Sequence, residues 1–238
     1  MNIFINTLYI QLLNFIRIKQ AVFWSIVFPP FLFVVFSSLF SVNDPSYVSF
    51  ILIGIIGMII TSDGLFSVGS IIKQYYNNGT IRILRKMPIN IVVYFSGILL
   101  SRLVVVWFSV SIIYLCAFLL YGYLPTSSQL FRVFLASFIG IWTFSFIGLC
   151  FNFINIKLLS NEKSAINMIY FLLIFTSNAF YPVDMLNSKI STFANYLPLN
   201  PIYAIMRSES FSVIIILLWG IIPTILFYIF YKRLTITR

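Results

Sequence analysis

Long apolar stretches alternate with short polar gaps along the whole chain. A membrane-spanning helix needs about 20 mostly apolar residues. The stretches that reach or approach this length cover residues 21–40, 47–72, 91–121, 130–156, 165–181 and 211–231. The pattern therefore predicts six transmembrane helices, which places both termini on the same side of the membrane.

The first 20 residues have a different, moderately amphipathic pattern. On a helical wheel, one half is apolar and the other carries most of the polar side chains. The apolar half comprises Phe4, Ile5, Leu8, Tyr9, Leu12, Phe15 and Ile16, and the polar half comprises Asn2, Asn6, Thr7, Gln11, Asn14 and Arg17. This predicts a helix lying in the cytoplasmic interface before the first span. A short extra span is the alternative, which Arg17 and Lys19 disfavour.

The segment 182–208, before the last apolar stretch, is unusual. It contains Pro182, Pro198 and Pro201, yet it is too apolar for a solvated loop. It is also too broken for a span, so we expect a short helical hairpin that dips into the outer leaflet, where protein or a water-filled cavity must cover it. It would be either a lid over an exit path or an interfacial plug with no moving part.

Composition supports a membrane protein. Of the 238 residues, 61% are hydrophobic and 8% are charged, whereas a soluble domain has about 25% charged residues. A soluble enzyme and a disordered tail are both excluded. No linker is long enough to separate two domains, so residues 1–238 are expected to form one membrane domain.

Charge sets the expected orientation. The chain has 15 Lys and Arg against 5 Asp and Glu, and the basic residues lie in the gaps between apolar stretches. One side of the predicted topology holds Arg17, Lys19, Lys73, Arg82, Arg85, Lys86, Lys157, Lys163, Lys232, Arg233 and Arg238, and the other holds Arg132, Lys189 and Arg207. This bias predicts cytoplasmic termini. It also disfavours nucleic-acid binding, which needs a water-exposed basic face.

The residues needed for catalysis are scarce. Histidine is absent, and Cys116 and Cys150 lie in apolar stretches without metal-binding spacing. Gly64 and Gly69 have the separation of a phosphate-binding loop, but Ser70 stands where its Lys is required. We therefore expect no enzyme activity and no bound metal or cofactor, and any ATP hydrolysis would be supplied by another subunit.

Asp63 and Arg102 are the charges that fall within apolar stretches. Such residues usually face a partner or a wet cavity, because burying an ion in a bilayer is costly. The pair could line a translocation path or tie two helices together. We prefer the tie.

The segment 73–90, KQYYNNGTIRILRKMPIN, is the longest predicted cytoplasmic gap. Its Asn-Asn-Gly is a turn signal, Thr80 can cap a short helix, and Pro88 ends that helix. The helix would be half apolar and half basic, which suits docking into a groove on a partner. A basic loop that only sets topology is the alternative.

Three stretches carry a resemblance to a known family. They are FWSIVFPP at 23–30, NGTIRILRKMP at 78–88, and NAFYP at 178–182 followed by YLPLNP at 196–201 and Arg207. In this order and spacing, the chain resembles the permease subunits of ABC-2 type exporters, which move drugs, lipids, polysaccharides and peptides. One departure is that Asn77 and Asn78 precede the Gly-Thr pair, where the family often has an acid.

The resemblance implies an assembly in a bacterial plasma membrane. Two permease chains, identical or related, would pair above two separate ABC ATPase subunits, which bind ATP and Mg²⁺. The implied ATPase-coupling residues are Gly79, Thr80, Arg82, Leu84, Arg85, Lys86 and Pro88. The implied external gate residues are Pro182, Pro198, Pro201 and Arg207.

The function favoured at this point is export of a hydrophobic or amphipathic cargo, such as a drug, peptide or lipid-like molecule. An ATP-independent six-span carrier or channel is the first alternative; paired broken helices in both halves would support it, but only residues 182–208 are strongly broken. A membrane enzyme acting on lipids is the second alternative, and the scarcity of catalytic residues argues against it.

Overall fold

The described part of the chain is helical. The computed structural model describes residues 3–40, 46–80, 83, 91–153, 162–182 and 188–234, and these ranges contain no β-strand. We number the helices α1 (Ile3–Arg17), α2 (19–40), α3 (46–77), α4 (Ile91–Tyr121), α5 (Ser127–Phe153), α6 (Glu162–Phe175), α7 (Ser188–Asn195), α8 (Leu199–Arg207) and α9 (Val213–Leu234). The predicted all-α class is confirmed.

Two of the long helices contain a π-helical turn. In α2 this turn is Phe23–Val27, and in α3 it is Asp63–Val68. Such turns are rare and are frequently found at functional sites. The turn in α3 contains one of the two charges that the sequence places inside apolar stretches.

The apolar helices follow the predicted stretches. Within the described ranges, four are long and apolar enough to cross a membrane, namely Lys19–Leu39, Tyr47–Asn77, Val93–Tyr121 and Ser127–Asn152. The two later stretches form the shorter apolar helices Ile166–Phe175 and Val213–Ile229. The multi-pass class is therefore supported, while the number of six spans stays a prediction.

The fifth apolar stretch ends earlier than predicted. The sequence suggested a span to Tyr181, but α6 ends at Phe175 and residues 176–181 form turns. The N–H of Asn178 donates to Oδ1 of Asn200 (2.9 Å), and its carbonyl accepts from Nη2 of Arg207 (2.7 Å). Because α8 supplies these partners, the backbone is satisfied without another helical turn.

Helix α3 forms the centre of the bundle and packs closely on α5 through glycines. A Cβ atom on Gly148 of α5 would lie 2.4 Å from the carbonyl oxygen of Leu65, and one on Gly64 would lie 2.5 Å from the Cβ of Phe144. Small residues let two membrane helices approach to backbone contact, where van der Waals packing is strongest. This contact holds the π-helical turn of α3 against α5.

The helix predicted at the N-terminus is present, but its orientation differs from the wheel. Thr7 and Gln11, which the wheel placed on the polar half, are buried, whereas Ile5 and Tyr9 are exposed. The Gln11 amide donates to the Tyr75 hydroxyl (2.6 Å). These two polar residues therefore face the bundle, where Gln11 is satisfied by a hydrogen bond.

We predict that Gly148→Ala destabilises the protein and that Gly220→Ala does not. The added methyl at position 148 meets backbone, and such overpacking costs about 1–3 kcal/mol. At position 220 the nearest atom would be 3.9 Å away. Thermal unfolding in detergent checks this, and equal melting temperatures for the two variants would contradict the close α3–α5 contact.

Candidate functional site

The structure brings Asp63 and Arg102 together. Nη1 of Arg102 in α4 lies 4.0 Å from Oδ1 of Asp63 in α3, and their side chains are 9% and 1% exposed. The Ser67 hydroxyl, one turn along α3, donates to Oδ1 of Asp63 (3.0 Å). The sequence left open whether the two charges pair, and their geometry is that of a buried ion pair.

Four helices meet around this pair. The guanidinium of Arg102 lies 5.2 Å from the ring centroid of Phe15 in α1, within the range of a cation–π contact. Two turns farther along α4, the Ser109 hydroxyl donates to the carbonyl of Ser25, within the π-helical turn of α2. Both π-helical turns thus lie against α4, the turn of α3 beside Arg102 and the turn of α2 at Ser109.

The pair is incompletely satisfied. Oδ2 of Asp63 and Nε of Arg102 have no hydrogen-bond partner within the described ranges. A buried ion pair is weak evidence for net stability, but removing one partner leaves an uncompensated charge. The enclosure of both side chains favours the helix tie over an open path lining.

The predicted coupling segment is described only at its beginning. Gly79, Thr80 and Ile83 are described, while Arg82, Leu84, Arg85, Lys86 and Pro88 lie outside the described residues. The helix α3 extends to Asn77, so the loop begins later than the predicted position 73. Lys73 is therefore part of the last helical turns rather than of the loop.

Gly79 makes the turn at the end of α3. Its φ is +71°, a conformation that glycine adopts without the penalty of a Cβ atom. Its N–H donates to the carbonyl of Tyr76 (3.1 Å), and its own carbonyl accepts from the N–H of Ile83 (3.4 Å). Helical backbone resumes at Thr80, so Gly79 occupies the capping position that the sequence assigned to Thr80. The Ile83 side chain is exposed.

The predicted gate residues lie in and around the hairpin of α7 and α8. Pro198 directly precedes α8, and Pro201 lies in its first turn, where a missing N–H costs no helical hydrogen bond. Both prolines are buried, whereas Pro182 is half-buried. The predicted pair of short helices is present, and the side chains of α8 from Leu199 to Met206 are buried.

Arg207 joins three elements. Its Nη2 donates to the carbonyls of Phe50 in α3 (3.1 Å) and Asn178 after α6 (2.7 Å). Its guanidinium also lies 3.8 Å from the ring centroid of Phe50. In this structure Arg207 therefore fixes α8 to α3 and to the turn after α6.

Sequence reasoning assigned no role to three residues that complete this cluster. The buried Tyr203 donates through its hydroxyl to the carbonyl of Gly54 (2.9 Å), and a Cβ atom on Gly54 would meet the carbonyl of Ala179 at 1.8 Å. Asn200 holds the turn through its amide oxygen, and its amide nitrogen donates to the carbonyl of Ala194 in α7 (2.8 Å). The sequence signal for Asn200 was a polar residue between Leu199 and Pro201 in an apolar segment.

The described ranges contain no group of three or more Cys, Asp or Glu side chains placed to hold a metal ion. The polar clusters found there join helices to one another. They can position helices and transmit movement between them.

A family model described as ABC-2 type transporter matches residues 4–211. The match runs from α1 through α8 and includes the Asp63–Arg102 pair, Gly79 and the hairpin. No curated protein matches the chain.

We predict that Arg102→Met destabilises the protein by about 3–5 kcal/mol, because it leaves Asp63 buried without its partner. The double variant Asp63→Asn with Arg102→Met should recover most of this loss. Unfolding of the two single variants and the double variant measures the coupling. Arg17→Met, at an exposed position of α1, is the control. Additive effects of the two substitutions would contradict the tie.

We predict that Arg207→Ala lowers stability by about 1.5–3 kcal/mol, the range for hydrogen bonds to charged groups. The loss should be accompanied by faster hydrogen exchange at Asn178, whose carbonyl it holds. Lys189→Ala, an exposed cation on α7, is the matched control. Unchanged exchange at residues 176–181 would show that Arg207 does not hold this turn.

Proposed function

The chain belongs to the ABC-2 type transporter family, and we propose that it acts as the permease subunit of an ATP-driven exporter. Its apolar helices and its family make it a multi-pass membrane protein and a transport component. Permease domains of this family generally pair with an ABC ATPase. The proposal adds the direction of transport, the energy source and the cargo class.

The family match over residues 4–211 carries this proposal. It spans the N-terminal helix α1, the turn at Gly79 and the hairpin. We propose a bacterial plasma-membrane location with both termini in the cytoplasm. This places the Gly79 turn on the cytoplasmic side and the hairpin on the external side.

Coupling to ATP would run through α3. Gly79 ends this helix, and Asp63 lies 16 residues earlier in it, a distance of about 24 Å at 1.5 Å per residue. We propose that two separate ATPase subunits, which bind ATP and Mg²⁺, dock on residues 79–88, using Gly79, Thr80, Arg82, Leu84, Arg85, Lys86 and Pro88. ATP-driven closure of the ATPases would push on α3 at its end.

The Asp63–Arg102 pair would convert this push into movement of two helices. Because the pair joins α3 to α4, a displacement of α3 carries α4 with it. The cluster around Arg207 joins the other half of α3 to the hairpin. We propose that the hairpin is the external gate and that a second permease chain, identical or related, completes the path.

The proposed cargo is hydrophobic or amphipathic, such as a drug, peptide or lipid-like molecule. Charged side chains are scarce throughout the apolar helices, which disfavours a strongly polar cargo. An ATP-independent six-span carrier or channel is the competing function, and purification distinguishes the two. A stoichiometric ATPase subunit retained with the gently purified chain supports the exporter, and its reproducible absence from intact, folded chain supports the carrier.

We predict that Gly79→Trp lowers the amount of ATPase subunit retained with the chain and uncouples ATP hydrolysis from transport. The side chain would stand in the proposed docking surface. Gly122→Trp is a matched control, because Gly122 also has a positive φ (+65°) and open space around its Cβ position, but lies on the predicted external side.

The triple variant Arg82→Ala, Arg85→Ala and Lys86→Ala should have the same effect as Gly79→Trp while leaving membrane insertion intact. Retention of the ATPase and its ATP turnover are the two readouts. If both glycine variants retain equal amounts of the ATPase subunit and the triple variant is unaffected, the ATPase does not dock on this segment.

A further inference from the structure

A groove on the outer surface of the bundle runs between α5 and α9. Its volume is about 700 Å³, within the range of pockets that bind small molecules. Leu135, Ile139 and Trp142 of α5 form one wall, and Leu217 and Ile221 of α9 form the other. We call it the α5–α9 groove.

The sequence of α9 explains why the groove exists. Pro223 cannot donate a backbone hydrogen bond to the preceding turn, which favours a bend at this point. At Pro223 the helix contacts α5, since its carbonyl accepts from the Cys150 thiol (3.3 Å). Before Pro223, Gly220 presents no side chain to α5. The first half of α9 therefore leaves space along α5.

The groove has few polar groups for a ligand. Thr224 lies in its wall, but its hydroxyl already donates to the carbonyl of Gly220 (2.7 Å). Apart from the indole of Trp142, the other lining side chains are aliphatic or phenyl groups. The occupant must therefore be an apolar chain without hydrogen-bonding groups along its length.

The length of the groove matches one leaflet. Its α9 wall runs from Val213 to Ile225, which is about 18 Å at 1.5 Å per residue. One leaflet of the hydrocarbon core is about 15 Å deep, half of about 30 Å. A second cavity of about 220 Å³ shares Phe138 and Trp142 with the groove, so apolar space continues beyond them.

A cation lies on α5 one turn before the first residue that lines the groove. Thr143 lies nearest to Gly220 and Cys150 contacts Pro223, so α5 and α9 run in the same direction. Arg132 precedes Leu135 by one turn on the same face of α5, at the end where α9 begins.

The Arg132 guanidinium is only partly engaged. Its Nη2 donates to the Ser128 hydroxyl (3.3 Å), and its Nε is buried without a hydrogen-bond partner in the described part of the chain, so a ligand would bind through the Nη groups.

We propose that the α5–α9 groove binds a phospholipid, with an acyl chain along the groove and the phosphodiester group on Arg132. Guanidinium binds phosphate through two parallel N–H groups, and Arg132 lies one turn of α5 beyond the lining of an apolar channel of leaflet length. A helix of a partner protein would fill the groove but would leave the cation without an anion. This site goes beyond the proposed export function and does not depend on it.

The test uses the fluorescence of Trp142, which lies in the groove wall. Delipidated full-length chain in dodecyl maltoside is titrated with brominated dioleoyl phosphatidylglycerol, whose bromine atoms quench nearby indoles. Brominated diolein, which has the same chains without phosphate, is titrated in parallel. The signal of the Trp142→Phe variant is subtracted to isolate Trp142.

We expect phosphatidylglycerol to quench Trp142 at about tenfold lower concentration than diolein, the effect of one hydrogen bond to a charged group. Arg132→Ala should remove this difference, and Arg132→Lys should retain part of it. Gly220→Phe, which fills the groove where the nearest atom to a Cβ is 3.9 Å away, should weaken binding of both lipids. Ile222→Phe, exposed on α9 outside the groove, should have no effect.

Three results would overturn the proposal. If the two lipids quench Trp142 at equal concentrations, in the wild type and in Arg132→Ala alike, the phosphate does not contribute to binding. If Gly220→Phe and Ile222→Phe bind the lipids equally well, the acyl chain does not lie in the groove. If neither lipid quenches Trp142 in the folded protein, the groove does not bind lipid and another chain covers this surface.

Discussion

A lipid bilayer supplies no hydrogen-bond partner, so each backbone N–H and C=O group at membrane depth must be satisfied within the protein. Regular helices meet this constraint alone, and the informative places are those where the helix is interrupted. At residues 176–181 the side chains of Asn200 and Arg207 replace helical partners. At Pro223, which has no N–H to donate within α9, the residue's own carbonyl also accepts from the Cys150 thiol of α5. Each interruption is therefore also a point where two elements are joined, and these joints hold the hairpin and the last helix on the bundle.

Sequence periodicity predicts the helical class and the apolar helices because both depend on local pattern. The end of α6 was missed although Thr176, Ser177 and Asn178 interrupt the apolar stretch, since such residues also occur inside membrane helices and the groups that hold the turn come from α8. The orientation of α1 was predicted wrongly for the same reason. Its wheel places Thr7 and Gln11 with the polar residues, but a wheel contains no information about Tyr75, which the Gln11 amide contacts. Where a neighbour supplies the partner, single-sequence reasoning fails.

In the candidate site, too, the sequence predicts what depends on local composition and misses what depends on neighbouring helices. The two intramembrane charges could be selected from the sequence because charges in apolar stretches are rare. Their contact depends on how α3 and α4 are rotated, which the π-helical turn at Asp63–Val68 changes. The roles of Asn200 and Tyr203 were not predicted because their hydrogen-bond partners lie on other elements. Together these residues divide α3 into two joined halves, one fixed to α4 and one fixed to the hairpin.

The π-helical turns have a consequence for how this chain is compared with others. A π turn holds about one residue more than an α turn, so it is equivalent to a one-residue insertion absorbed within a continuous helix. One residue rotates an α-helix by about 100°. A homologue lacking the insertion would keep a similar hydrophobic profile while presenting different side chains on the last third of α3. Alignments across Asp63–Val68 should therefore allow a single gap inside a membrane helix, where gaps are usually penalised most heavily. Without this gap, an alignment of the family would pair the wrong residues at every position between the π-helical turn and Gly79.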